Sequence, residues 1–483
     1  MINRYSAAFA VALFAIAGCD GSGNNFGTAD RPDPVPEVRN ARVQLLHASP
    51  DAPEVNITGL GSGTLGPIDY KFGSTAVPVP EGSYPDVDVF GILPSGDNTD
   101  DPVLELALNL ERDTLYTVIA TGRDLDLSTS MVFGQPDTTV GPGLARIRVA
   151  HAAPSAPEVS VFLTTPGGAL VNPVITFEAG EFMDMPAEVT AGMYQVRVTL
   201  PFTPPAMPTV VYDSGPFMLE EGAVWTVAAV ENTTSADPLR MDESPISLII
   251  MDTIGSSELI DQRNPEAELR VIHASADTPA VDVVVNGNLM MPLVPGLEFP
   301  DFVPSPLGFV EVAADEYDIA VTDSDTQTLF PIELDDFELE GGVTYDVIAF
   351  DSFAAPVQGT VLTDDYRRIL TAAKLRAFHA SVVAQGITGD DGVDIYVQPD
   401  GTDLSTVDPA VEGAVLGDNT GFLQVPPGDY VITITANGDT MPLIQSPEVT
   451  LAAEGIYSAV ARDPDPTVMN DVPGLILLDD FND

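Results

Sequence analysis

Apolar and polar residues alternate with a period of two along most of this chain, and no stretch sustains the 3.6-residue spacing of an amphipathic helix. In the first quarter the alternation breaks into short runs at 41–48, 54–60, 70–79, 84–91, 103–110, 115–122 and 129–134, separated by Pro, Gly, Asp and Asn. Each run predicts a half-buried strand. Seven such strands in about 100 residues predict an immunoglobulin-like Greek-key β-sandwich.

The pattern then repeats. A phrase ending in histidine reads Ala41-Arg-Val-Gln-Leu-Leu-His47-Ala-Ser, Ala145-Arg-Ile-Arg-Val-Ala-His151-Ala-Ala, Ala267-Glu-Leu-Arg-Val-Ile-His273-Ala-Ser and Ala373-Lys-Leu-Arg-Ala-Phe-His379-Ala-Ser, and these are the chain's four histidines. A turn closed by tyrosine recurs in step at Tyr84, Tyr194, Tyr317 and Tyr430, each ahead of an alternating strand. It resembles the tyrosine corner of Greek-key sandwiches, in which the hydroxyl bonds back to turn backbone. A third phrase runs from a leucine through a short turn to an aromatic: Leu110 to Tyr116, Leu219 to Trp225, Leu339 to Tyr345, Leu451 to Tyr457. Repetition at intervals of about 100–120 residues means one structural unit used four times. The expected organisation is all-β: sandwich repeats at 41–140, 141–260, 261–368 and 369–483, each folding independently.

The segment before residue 41 has a different character. Arg4, the apolar run from Ala7 to Ile16 and the small residues before Cys19 resemble a bacterial lipoprotein signal, cleaved after residue 18 so that the thiol carries the lipid. The apolar run is too short to span a bilayer. Residues 19–40, rich in Gly, Ser, Asn, Asp and Pro, read as a flexible tether. The expected location is therefore the cell envelope, with the protein held to a bacterial membrane by its N-terminal lipid. Cys19 is the sole cysteine, so no disulfide supports the fold.

Charge narrows the partners. Eighteen Lys and Arg stand against 73 Asp and Glu, a net charge of −55. Phosphate neutralisation needs a surplus of cations, so nucleic acid is excluded as a general partner. So acidic a surface repels itself unless salt or bound cations screen it.

The histidine phrase continues as His47-Ala-Ser-Pro-Asp-Ala-Pro-Glu-Val-Asn-Ile and His273-Ala-Ser-Ala-Asp-Thr-Pro-Ala-Val-Asp-Val. With the two tyrosine phrases it resembles the bacterial domain of unknown function 4397, in four copies from 41 to 480. The resemblance implies exported, repeated β-domains and no established activity. The fourth copy departs from it, with Val382-Val-Ala-Gln-Gly-Ile-Thr-Gly-Asp-Asp-Gly392 in place of the proline loop.

Alternation places Val43, Leu45 and His47 on one strand face, and the other copies repeat this, so the imidazoles point inward at the strand's end. There they would pin backbone groups of the following loop. The competing readings are a metal ligand and a catalytic base. One histidine per unit and no second cysteine supply too few ligands for zinc. Residues as close as His47, Ser49 and Asp51 do not by themselves build a triad, and no nucleophile elbow or phosphate loop appears. Among the acid-rich loops, Asp390, Asp391 and Asp394 form the best calcium candidate. No other cofactor is expected. The sequence reading is a non-enzymatic, lipid-anchored array for adhesion, spacing or envelope organisation with a protein or carbohydrate partner; the alternative is a calcium- or carbohydrate-binding array.

Overall fold

The computed structural model describes residues 40–483 apart from 62, 136–138, 203–206, 234–243, 260, 262–265, 305–308 and 480–483. Nearly all regular structure is strand, and the one α-helix among the described residues, α1, spans Val382–Thr388. No helix among them is long and apolar enough to cross a membrane. Arg39–Asp483 forms one compact unit.

The first sheet pair shows the plan: β1 (Asn40–His47), β2 (Val55–Ile57), β3 (Leu65–Ile68), β4 (Val77–Pro80), β5 (Gly82–Gly91), β6 (Leu104–Leu110), β7 (Leu115–Ala120) and β8 (Met131–Gln135). One sheet runs β4-β1-β7-β8 and the other β3-β2-β5-β6, with β1 parallel to β7. Strands number eight rather than seven. The run expected at 70–79 is a strand only over its last residues; the chain bends at Tyr70 and Lys71, where Lys71 has a left-handed φ of 66°. Val43, Leu45, Val55, Val87, Val89 and Val118 from the two sheets share one core. Three further sheet pairs repeat the arrangement, each with its own core and with its histidine strand parallel to the strand of the leucine-aromatic phrase.

The histidine strand is buried on both faces. Val43 and Leu45 enter the core between their own two sheets, while Leu46 and Ala48 enter a second core with Ile119 and Met131 of the same pair and Ala150, Ala228, Ile249 and Met251 of the next. The third and fourth pairs meet in the same way through Ile272, Ile348, Phe350, Phe378, Val460 and Leu478. Each large aliphatic side chain removed from water there contributes about 2 kcal/mol, so consecutive sandwiches are joined by packing and not merely by chain. A parallel central strand enclosed on both sides reads as a nearly continuous apolar run, which is what Leu45-Leu46, Val149-Ala150, Val271-Ile272 and Ala377-Phe378 are.

Polar contacts fix the interfaces. Between the first and second pairs Arg123 binds Glu231, Lys71 Nζ lies 3.1 Å from Glu258, and the Arg148 guanidinium stands 4.5 Å from the Phe133 ring centre. Between the third and fourth, Arg270 holds Asp346 through two hydrogen bonds of 2.7 and 2.9 Å. Arg376 reaches the same Asp346 and, at 2.6 Å, Asp364. All four side chains are at most 5% exposed. The segment leading from the third pair to the fourth returns to the first: Arg367 donates to the carbonyls of Pro50 and Ala52 and pairs with Asp69, and Leu370 N donates to the Asp51 carbonyl at 2.9 Å.

Candidate functional site

Each histidine is the last residue of its strand and is fully buried. Beside it in the parallel ladder stands an alanine, Ala120, Ala229, Ala349 or Ala461, whose methyl leaves room for the ring. His47 Nε2 lies 2.8 Å from the Pro53 carbonyl oxygen and must therefore donate, while Nδ1 accepts from Ser49 N at 3.3 Å. This network assigns the neutral Nε2–H tautomer. His151 repeats it with Pro157 and Ala153, and His273 with Pro279 and Ser275. Each ring thus ties the loop after its strand to the place where the loop ends, six residues on.

The fourth copy is different. Six residues after His379 comes Gln385, inside α1, and neither ring nitrogen of His379 has a partner at hydrogen-bonding geometry. Ser381 caps that helix by accepting from Ala384 N, and its hydroxyl donates to Asp463. A helical turn replaces the proline loop, and the carbonyl that the ring meets in other copies is used within the helix and its cap.

Burial pushes His47 down to about 3, helped by the nearby Arg367 guanidinium and opposed by the Pro53 carbonyl. Burial lowers His151 and His273 as well, and takes His379 to about 4. All four are neutral rings at ordinary pH.

Ser49 Oγ donates to the Gly122 carbonyl at 3.0 Å and approaches Asp51 at 3.3 Å, while Asp51 Oδ2 accepts from Asp124 N at 2.9 Å. With His47 Nε2 bonded to Pro53, the hydroxyl and imidazole do not form the nucleophile-base pair of a triad. The tyrosine hydroxyls also turn to backbone: Tyr84, Tyr194, Tyr317 and Tyr430 donate to the carbonyls of Pro80, Thr190, Ala313 and Pro426 at 2.8–3.0 Å.

Asp390 and Asp391 lie exposed on a short 3-10 turn, whereas Asp394 is buried and accepts from Gly413 N at 2.9 Å and Gly438 N at 2.8 Å. The three do not converge, and among the described residues no group of three or more His, Cys, Asp or Glu side chains is arranged to hold a metal ion. Cys19 lies outside the described residues.

The sequence model of one family, described as a domain of unknown function (DUF4397), matches residues 41–162 and 267–388, together just over half of the chain. The chain belongs to this family. The family unit is matched twice where the repeated phrases suggested four copies, and each match takes in two successive histidine phrases. It starts at the first strand of one sheet pair and runs into the next, so it spans the two histidine strands that face each other across a packed interface. No curated relative matches the chain. Among solved structures, a candidate cell adhesion protein from Bacteroides uniformis is 11% identical over 46% of this chain and 99% of its own, with a TM-score of 0.16. The Bacillus anthracis TIE protein is 10% identical over 85% of this chain and 69% of its own, at 0.14. The major pilin subunit of Bacillus cereus is 10% identical over 66% and 98%, at 0.12. Superpositions that loose carry no argument about function.

Sequence reasoning missed the residues that join the sandwiches, Arg367 with Tyr70 and the Arg270, Asp346, Asp364, Arg376 quartet. A signal was available: with only 18 Lys and Arg in the chain, three of the four phrases spend an arginine on the same strand position, 148, 270 and 376.

Proposed function

We propose that this member of the family is a lipid-anchored, non-enzymatic envelope protein whose four sandwiches, from the units 41–140, 141–260, 261–368 and 369–483, display surface for adhesion, spacing or envelope organisation. The observation that carries the reading is the double burial of the histidine strands. A protein that buries the outer faces of its central sheets to lock neighbouring sandwiches together gains a stiff body rather than a cleft. The imidazoles add to this, since in three copies they serve the backbone of their own loop. The lipobox-like residues before Cys19 and the tether to residue 40 supply the means of attachment.

Labelling cells with radioactive palmitate, in wild type and in Cys19→Ala, tests the anchor: label on the wild type alone supports it, and label that survives the substitution removes it. Display is tested by capture from envelope fractions with the intact chain. An envelope polypeptide or glycan retained by the full chain and released by an excess of the same soluble chain is the expected result; no retained component argues against display.

A further inference from the structure

The second sandwich does not fill its own interior. Ile147, Val149 and Val227 keep 7–8% exposure, while the residues at the same ladder positions in the first sandwich, Val43, Leu45 and Val118, keep none. Between its sheets lies a cavity of about 60 Å³, lined by apolar side chains that include Val161, Met183, Val196, Phe217, Trp225 and Leu248, and no polar atom faces it. The aromatic of the leucine-aromatic phrase differs here too. Tyr116, Tyr345 and Tyr457 each accept a backbone N–H through the hydroxyl, whereas the second copy has Trp225, which has no acceptor and stacks on Phe217 at 6.2 Å.

Apolar space without polar partners does not hold water, and its walls lack the dispersion contacts that a hydrocarbon would restore. The occupant must therefore bring no hydrogen-bonding group inside. A net charge of −55 disfavours an anionic head outside. The size excludes a ring, since an engineered cavity that admits benzene measures about 150 Å³. We propose that the interior of the second sandwich takes the terminal methylenes of an uncharged alkyl chain. The lining includes Val174, which is exposed, and Val189 on the border strand Ala187–Thr190 of the opposite sheet, so the alkyl chain enters along that edge.

Trp225 is the only tryptophan of the protein and reports on its own cavity. Intact protein is titrated with bromodecanol, whose bromine quenches indole emission on contact, with decanol as competitor. The expected result is a saturable loss of Trp225 emission that decanol reverses, with bromodecanoate binding about tenfold more weakly because of the protein's charge. Val161→Leu places a larger side chain in the cavity wall and abolishes the saturable loss while the melting temperature holds or rises; Val227→Ile does the same should the first variant fail to fold. Quenching that rises linearly, as for free indole, overturns the proposal, as does saturable quenching that persists in a folded filled variant. Equal affinity for the alcohol and the carboxylate overturns the uncharged ligand.

Discussion

Arg367, between the third and fourth sandwiches, places its guanidinium 5.0 Å from the ring centre of Tyr70 in the first. Tyr70 in turn donates its hydroxyl to the Glu231 carbonyl of the second sandwich, 2.5 Å away. Two short contacts therefore connect segments drawn from all parts of the chain. Arg367 also satisfies the carbonyls of Pro50 and Ala52, so Arg367→Ala leaves buried acceptors unpaired and loses about 2–4 kcal/mol. Scanning calorimetry of the full chain should show a transition that separates and moves to lower temperature in the variant. A single unchanged transition would mean that the contact does not couple the sandwiches.

Asp346 sits between Arg270 and Arg376 with almost no exposure. Asp346→Ala removes the buried carboxylate that Arg270 and Arg376 share, and removing one partner from a buried ionic group costs about 3–5 kcal/mol. Replacing the whole quartet with apolar residues of similar volume should cost less, since the desolvation penalty leaves with the charges. Urea midpoints of the two variants give the comparison directly, and an order opposite to this would refute it.

The sandwich class, the repeat and the position of each histidine at a strand's end were legible because they are local: period-two alternation and turn residues act within about ten positions. The Tyr70 bend was not legible, because Phe72 and Ala76 keep the alternation that Tyr70 begins and Val77-Pro-Val79 adds one of its own, while Lys71 in the left-handed region breaks the strand. Burial of both faces of β1 was half legible. Leu46 breaks the alternation in the apolar direction, but Gln44 and Arg42 on the same face suggested solvent, and only the neighbouring sandwich supplies the second core. Arg367 was not legible at all. Its partners Pro50, Ala52 and Asp69 lie some 300 residues away, and nothing in its own neighbourhood distinguishes it from Arg368 beside it.

His47 and His379 occupy equivalent strand positions and make opposite demands. His47→Leu leaves the Ser49 N–H and the Pro53 carbonyl buried and unpaired, a loss of about 2–4 kcal/mol. His379→Leu removes two ring nitrogens that have no partner at hydrogen-bonding geometry and only the Gln385 side chain beside them to favour the charged form by hydrogen bonding, and it exchanges a buried polar ring for an apolar side chain, so it should cost less than His47→Leu, about 1 kcal/mol or below. Chemical denaturation of both variants measures the difference. Equal losses would show that the ring's shape, and not its hydrogen bonds, is what the strand end requires.

Acid should weaken the fold before the carboxylates begin to titrate. The histidines are held neutral in the folded protein, His47 down to about 3 and His379 to about 4, while in the unfolded chain each takes up a proton near its ordinary 6.5. A folded-state value below the unfolded one means that the stabilisation is complete above about pH 6.5 and drains away as pH falls toward the folded value. Each such ring costs about 1.4 kcal/mol for every unit below about 6.5. Protonation of surface carboxylates would relieve the self-repulsion of a chain with 73 of them, but that begins mainly below pH 5, so the histidines govern the interval from 7 to 5. Urea midpoints should fall across that interval, and the fall should be shallower in His47→Leu, which has one fewer ring to protonate on unfolding. The groups that face His47 sharpen the test. Arg367 lowers its proton affinity and Asp69 raises it, so Arg367→Ala lets the folded ring accept a proton at higher pH and reduces the acid loss that His47 contributes. A midpoint that stays constant from pH 7 to 5 would show that the buried rings do not set the acid limit of this fold.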